Sequence, residues 1–193
     1  MILIVDRWPS SRYAESSAEM AALVDDVMNE LESGKGEANA APIAHLSFAP
    51  DRQAMAGTGW RPDNILQVSV SPGSGYGALI WSVTPDRPGF PRDEIDEFIW
   101  VSDNPGPPDF DPKVLADPGL PSYFDRRSAL KWSQIRAVLH EFCRGGTGDR
   151  PGGTDWVHGD YDGRRLEGQE DRGSEAGPPG AGDFAGDFDD PWA

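Results

Sequence analysis

Hydrophobic residues change their period several times along this chain, and each change marks an element. Ile2 to Val5 is a continuous apolar run broken by Asp6-Arg7, so Ile2 to Trp8 predicts a strand that Pro9 ends. Ser16 and Glu19 stand at capping-box spacing, and Met20, Leu23, Val24, Val27, Met28 and Leu31 follow at intervals of three and four. This stripe, opposed by Asp25, Asp26, Asn29 and Glu30, predicts an amphipathic helix stopped by Gly34. Each aliphatic buried along it contributes roughly 1.5–3 kcal/mol, so packing rather than propensity holds the helix.

The period then falls to two. Ile43 to Phe48 predicts a short strand. Leu66, Val68 and Val70 alternate with Gln67 and Ser69 within Ile65 to Ser71, and Leu79, Trp81 and Val83 repeat the alternation within Gly77 to Thr84. Pro72-Gly73-Ser74-Gly75-Tyr76 joins the two as a hairpin turn. Ile95 to Val101 predicts another strand, and residues 103 to 121 a long loop rich in Asp and Pro. Trp132, Ile135, Val138, Leu139 and Phe142 form the stripe of a second helix, starting near Asp125 or Ser128, running to about Cys143 and ended by Gly145 and Gly146. Thr154 to His158 returns as a strand, and Asp160-Tyr161-Asp162-Gly163 forms a tight turn. The sum is an α+β domain over residues 1–166: a mainly antiparallel sheet of about five to six strands with two amphipathic helices packed on one face.

Beyond Leu166 the chain is mostly Gly, Pro, Asp and Glu, too poor in apolar residues to offset ordering entropy. Residues 167–193 are therefore expected to be a disordered acidic tail. Within it Gly182-Asp183-Phe184 recurs as Gly186-Asp187-Phe188, followed by Trp192. Either the tail only solvates, or these aromatics dock onto a basic groove of a partner.

The formal net charge of −16 repels nucleic acid and anionic membranes, so neither is an expected partner. It leaves two readings open, a basic protein partner or solubility alone. A single cysteine, Cys143, excludes an intramolecular disulfide and fits a reducing cytoplasm. The first apolar run is too short for a signal-peptide core or a membrane span and has no basic leader, so a cytoplasmic location is expected.

The candidate catalytic patterns each fail a physical requirement. Gly73-Ser74-Gly75-Tyr76-Gly77 leads into a strand, whereas a phosphate loop must lead into a helix. His140 and Cys143 are spaced for a shared metal, but His140 is expected to point to solvent and Cys143 to lie at the edge of the core stripe. No nucleophile-elbow pattern, twelve-residue calcium loop or paired-cysteine deaminase signature is present. Asp103, Asp109, Asp111 and Asp117 surround Phe110 in the Pro-rich loop, where carboxylates stay solvated or face a partner. No catalytic residue, metal or cofactor is expected. Trp81, Trp100 and Trp156 fall in strand patterns, where aromatics belong to the core; at a sheet edge one would instead anchor an interface.

Four blocks carry a family resemblance. They are Gly75-Tyr76-Gly77-Ala78-Leu79-Ile80-Trp81; then Ser102-Asp103-Asn104-Pro105 with Pro108-Asp109-Phe110-Asp111-Pro112 and Asp117-Pro118-Gly119; then Glu141-Phe142-Cys143 running into Gly146-Thr147-Gly148-Asp149-Arg150-Pro151; and finally Trp156-Val157-His158-Gly159 with Asp162-Gly163-Arg164. In this order they resemble the first numbered immunity family of bacterial polymorphic toxin systems, from the first strand to about Leu166. The chain departs from the family pattern at Asp155, where an apolar residue is common, and at Lys131-Trp132, where a proline is common.

The resemblance implies a non-enzymatic inhibitor that binds a cognate protein toxin, commonly a nucleic-acid deaminase, and blocks it stoichiometrically. A basic substrate cleft on such a toxin would attract the acidic loop, which makes Asp103, Asp109, Asp111 and Asp117, with Phe110 as apolar anchor, the candidate contacts. Gly75, Gly77, Trp81, Asn104, Pro105, Phe142, Gly146, Arg150, Pro151 and Trp156 are the motif residues expected to serve the fold. The alternative is an acidic chaperone or adaptor for a basic partner, with the tail as its working part.

Overall fold

The computed structural model describes residues 1–34, 41–52, 55, 61–84, 87–88, 98–119 and 121–166. The expected acidic tail, and residues 95–97 of the expected strand at 95–101, lie outside the described residues.

Each of the six expected strands has a counterpart, and all join one antiparallel sheet: β1 (Ile2–Arg7), β3 (Ile43–Ala49), β4 (Asn64–Ser71), β5 (Tyr76–Val83), β6 (Ile99–Asp103) and β10 (Asp155–His158). Two further strands enlarge it to eight. β2 (Ser10–Ala14) turns back along β1 and forms one edge, and β9 (Leu130–Lys131) pairs with the start of β5. The order is β10-β6-β5-β4-β3-β1-β2, with β9 beside β5. The long loop is less irregular than expected, because β7 (Leu115–Asp117) and β8 (Ser122–Tyr123) pair within it.

Helix α1 (Ser17–Ser33) forms as its sequence predicts. Ser16 and Glu19 exchange both capping-box hydrogen bonds, and Gly34 closes the helix in the left-handed region at φ 61°. All six stripe residues are buried. The second helix, α2 (Trp132–Gly145), begins later than expected. Asp125 caps only a single 3-10 turn, Arg126–Ser128, and the chain then runs extended so that Leu130 reaches the core opposite Gly77. Burial of Leu130 and its backbone pairing thus override the polar cap signal.

Both helices cover the same face of the sheet, over Leu3, Val5, Leu46, Leu66, Val68 and Leu79. Arg136 of α2 reaches α1, where its guanidinium donates to Glu32 (2.9 and 3.0 Å) and Asn29 (2.7 Å). His140 points away from the core stripe and is partly exposed, as expected, and because the helices pack side by side its Nε2 also lies 3.0 Å from Asp25 on α1. Cys143 is buried in the core, and burial pushes its thiol up to about 12.

The opposite face of the sheet has a smaller core of its own. Ala78, Ile80 and Val101 lie under Val114, Ala116 and Phe124, contributed by the 104–124 segment. That segment covers only the half of the face nearer β6.

Candidate partner-binding face

One cross-strand row shows how this second face is divided. Ser11 stands opposite Asp6, Asp6 opposite His45, and His45 opposite Gln67. The row continues from Gln67 to Ile80, Val101 and Val157. Its apolar end lies beneath the 104–124 segment, while its polar end floors an open groove of about 600 Å³. Strand alternation explains the split: each of these residues projects away from the helices, and only the apolar ones require a cover.

The floor is hydrogen-bonded. Ser11 Oγ donates to Asp6 Oδ1, and His45 Nε2 donates to Gln67 Oε1 at 3.2 Å. Gln67 Nε2 donates to the Ala116 carbonyl at 2.9 Å, which fastens the covering segment to the floor. His45 is exposed on the groove floor, yet the walls around it partly desolvate the imidazole and push it below its ordinary value, opposed by the Gln67 hydrogen bond and by the Asp6 charge. The rim carries Trp8, 85% exposed, Tyr161, 55% exposed, and Asp117.

The five predicted contact residues do not form one cluster. Asp103 Oδ1 accepts from Arg165 Nη2 at 2.8 Å, and the Arg165 side chain is only 4% exposed, so this carboxylate fastens the end of the domain to β6. Asp109, Phe110 and Asp111 are exposed together. Phe110 meets Tyr76 edge-on, with ring centres 5.6 Å apart. Asp111 accepts from Lys113 Nζ and from its backbone N–H, and these bonds hold its carboxyl below the usual range. Asp117 lies at the far end of the segment, where it accepts from Gly119 N–H (2.7 Å) and borders the groove. The groove itself was not legible as a site, because Trp8 and Asp6 are far from Asp117 and Tyr161 in sequence. An exposed Trp before a proline was the one local signal.

The motif residues are spent on structure. Gly77 has no room for a side chain: a Cβ there would lie 2.4 Å from the Ser69 carbonyl and 2.6 Å from Ile135 Cδ1. Gly75 takes the left-handed conformation that the hairpin turn needs, and Gly146 takes it to cap α2. Phe142 is buried against Phe48. Trp81 and Trp100 pack 5.1 Å apart, and the Arg150 guanidinium lies over both rings. Trp81 Nε1 donates to the Gly148 carbonyl and Trp156 Nε1 to that of Pro151, so the turn after α2 is pinned to the sheet. Asn104 donates to the Ala129 carbonyl (2.6 Å) and Ser102 to that of Ser128 (2.7 Å), which sets the path into β9; Pro105 stays exposed beside them. Trp81 and Trp100 are buried in the core, as the strand patterns predict, while Trp156 on the edge strand β10 is only partly buried against it.

No group of three or more His, Cys, Asp or Glu side chains among the described residues is placed to hold a metal. No described helix is long and apolar enough to cross a membrane.

No curated protein and no solved structure matches the chain. The family model for Immunity protein Imm1 matches residues 9–158, well over half of the sequence. It takes in β2 to β10, with the tryptophan–arginine stack and the covered half of the second face. The chain therefore belongs to the Imm1 immunity protein family, whose members neutralise toxins as inhibitors rather than as enzymes.

Proposed function

We propose that this protein neutralises a nucleic-acid deaminase toxin by stoichiometric occlusion, with its acidic second face laid over the toxin's basic substrate cleft. The observation that carries the reading is the exposed Asp109-Phe110-Asp111 tip on a chain with a net charge of −16. Two carboxylates flank a half-exposed ring that is already supported by Tyr76, so a partner gains charge pairing and apolar contact in one place. Asp117 extends the same charge to the groove rim. Asp103 contributes through the base of the segment, where its pairing with Arg165 sets the loop's position.

Charge of this kind acts first on the rate of encounter. Reversing Asp109 and Asp111 to Lys is expected to slow association with the cognate toxin and to flatten its dependence on salt. Unchanged association and dissociation rates would remove this tip from the interface. A toxin that leaves bases unaltered in exposed nucleic acid would remove the deaminase assignment while leaving occlusion intact.

A further inference from the structure

We infer that the open half of the second sheet face receives an arginine-bearing basic segment of the toxin, which deepens the occlusion reading above and rests on it. The groove is bordered by two carboxylates, Asp6 and Asp117, and none of its described lining residues is Lys or Arg. Its rim aromatics, Trp8 and Tyr161, are among the most exposed large hydrophobic side chains described. Carboxylates beside exposed aromatic faces suit a guanidinium, which pairs through its edge and stacks through its plane; an ammonium, a compact and strongly hydrated charge, can sit over a ring but cannot do both with one flat group. Asp6 and His45 add an exposed polar floor with Ser11 beside them, and Gln67, buried beneath Ala116, marks where the cover begins. The rest of that face needs its 104–124 cover because it is apolar, whereas this half sets polar strand residues beside apolar and aromatic walls from Trp8, Ile43, Pro118 and Tyr161, a mixture that suits the flat, weakly hydrated guanidinium. About 600 Å³ also lies within the range of small-molecule pockets, so an unrelated small ligand is the competing occupant.

The test uses the full chain with tetra-arginine amide as probe and tetra-lysine amide as its charge-matched comparison. Binding is followed by the Trp8 indole and His45 ring resonances. The arginine peptide is expected to shift both and to bind more tightly than the lysine peptide. Asp6→Asn with Asp117→Asn should weaken it by about tenfold. Asn at position 6 can still accept from Ser11, so the floor is preserved. Asp26→Asn with Asp155→Asn removes the same charge from exposed sites elsewhere and should change affinity by less than about twofold. Equal weakening by both pairs, equal affinity for both peptides, or unmoved Trp8 and His45 resonances would overturn the assignment. Co-expression with the toxin separates the two levels. If the Asp6→Asn, Asp117→Asn, Trp8→Ala variant protects as fully as the native chain, the groove assignment fails alone. If the native chain does not protect, the occlusion reading fails.

Discussion

Arg150 holds its guanidinium 4.7 Å from the centre of the Trp100 ring and 5.7 Å from that of Trp81. The arginine comes from the turn after α2, while the tryptophans come from neighbouring strands whose registers place them directly opposite each other. One residue of the family signature thus closes the helix-bearing face over the sheet. Arg150 is exposed, so Arg150→Ala should cost about 1 kcal/mol, seen as a melting temperature lowered by about 2–4 °C. Arg150→Lys should recover only part of this, because a lysine keeps the charge but not the plane. Full recovery with lysine would show that the stacking contributes little.

The acidic loop contains carboxylates of two kinds, and substitution should separate them. Asp103→Ala withdraws the charged partner of a nearly buried guanidinium, which keeps its bond to Ser128 Oγ, and should cost roughly 1–2 kcal/mol in chemical unfolding. Asp109→Ala alters an exposed position and should stay within about 0.5 kcal/mol of the native chain, while Asp111→Ala, which releases the Lys113 turn, should cost no more than about 1 kcal/mol. A stability loss at Asp109 comparable to that at Asp103 would contradict this division.

Stability should also carry a histidine signature. Partial desolvation at the groove floor lowers the His45 value in the folded chain below its ordinary 6.5. Between 6.5 and that lower value the unfolded chain binds more protons, so stability falls as pH drops through this window and is fully present above it. His45→Gln should remove that segment of the pH–stability curve, leaving the steeper loss from carboxylates at lower pH. Curves that remain parallel from about pH 7.5 to about pH 5 would contradict the partial desolvation of this ring at the groove floor.

Cys143 provides a test of core packing. Its thiol is pushed up to about 12, so thiolate is scarce at neutral pH and the sulfur is buried as well. Iodoacetamide at about pH 8 should label it only after denaturation. Rapid labelling of the native chain would show that α2 does not pack as described.

Where one residue's neighbours in sequence decided its state, the pattern was readable. Ser16 with Glu19, Gly34, and the alternation on either side of Gly75 gave α1 and the β4–β5 hairpin almost to the residue. Tertiary contact decided the rest. β2 contributes only Ala14 to the core, so its sequence has no strand pattern, and β1 supplies its pairing. Leu130 is extended because Gly77 lies opposite it, which no local signal could disclose. For the same reason the acidic character of the loop was legible, but the pairing of Asp103 with Arg165 was not, nor was the meeting of Asp6 with Asp117 at one groove.

The most direct test of the central claim is a titration of the purified full chain into its cognate toxin, reading residual toxin activity at concentrations far above the dissociation constant. Occlusion predicts a linear fall that reaches zero at one equivalent, with an unmodified toxin that regains activity when the complex is dissociated. Complete inactivation by a small fraction of an equivalent, a covalently altered toxin, or activity that persists beyond several equivalents would contradict it.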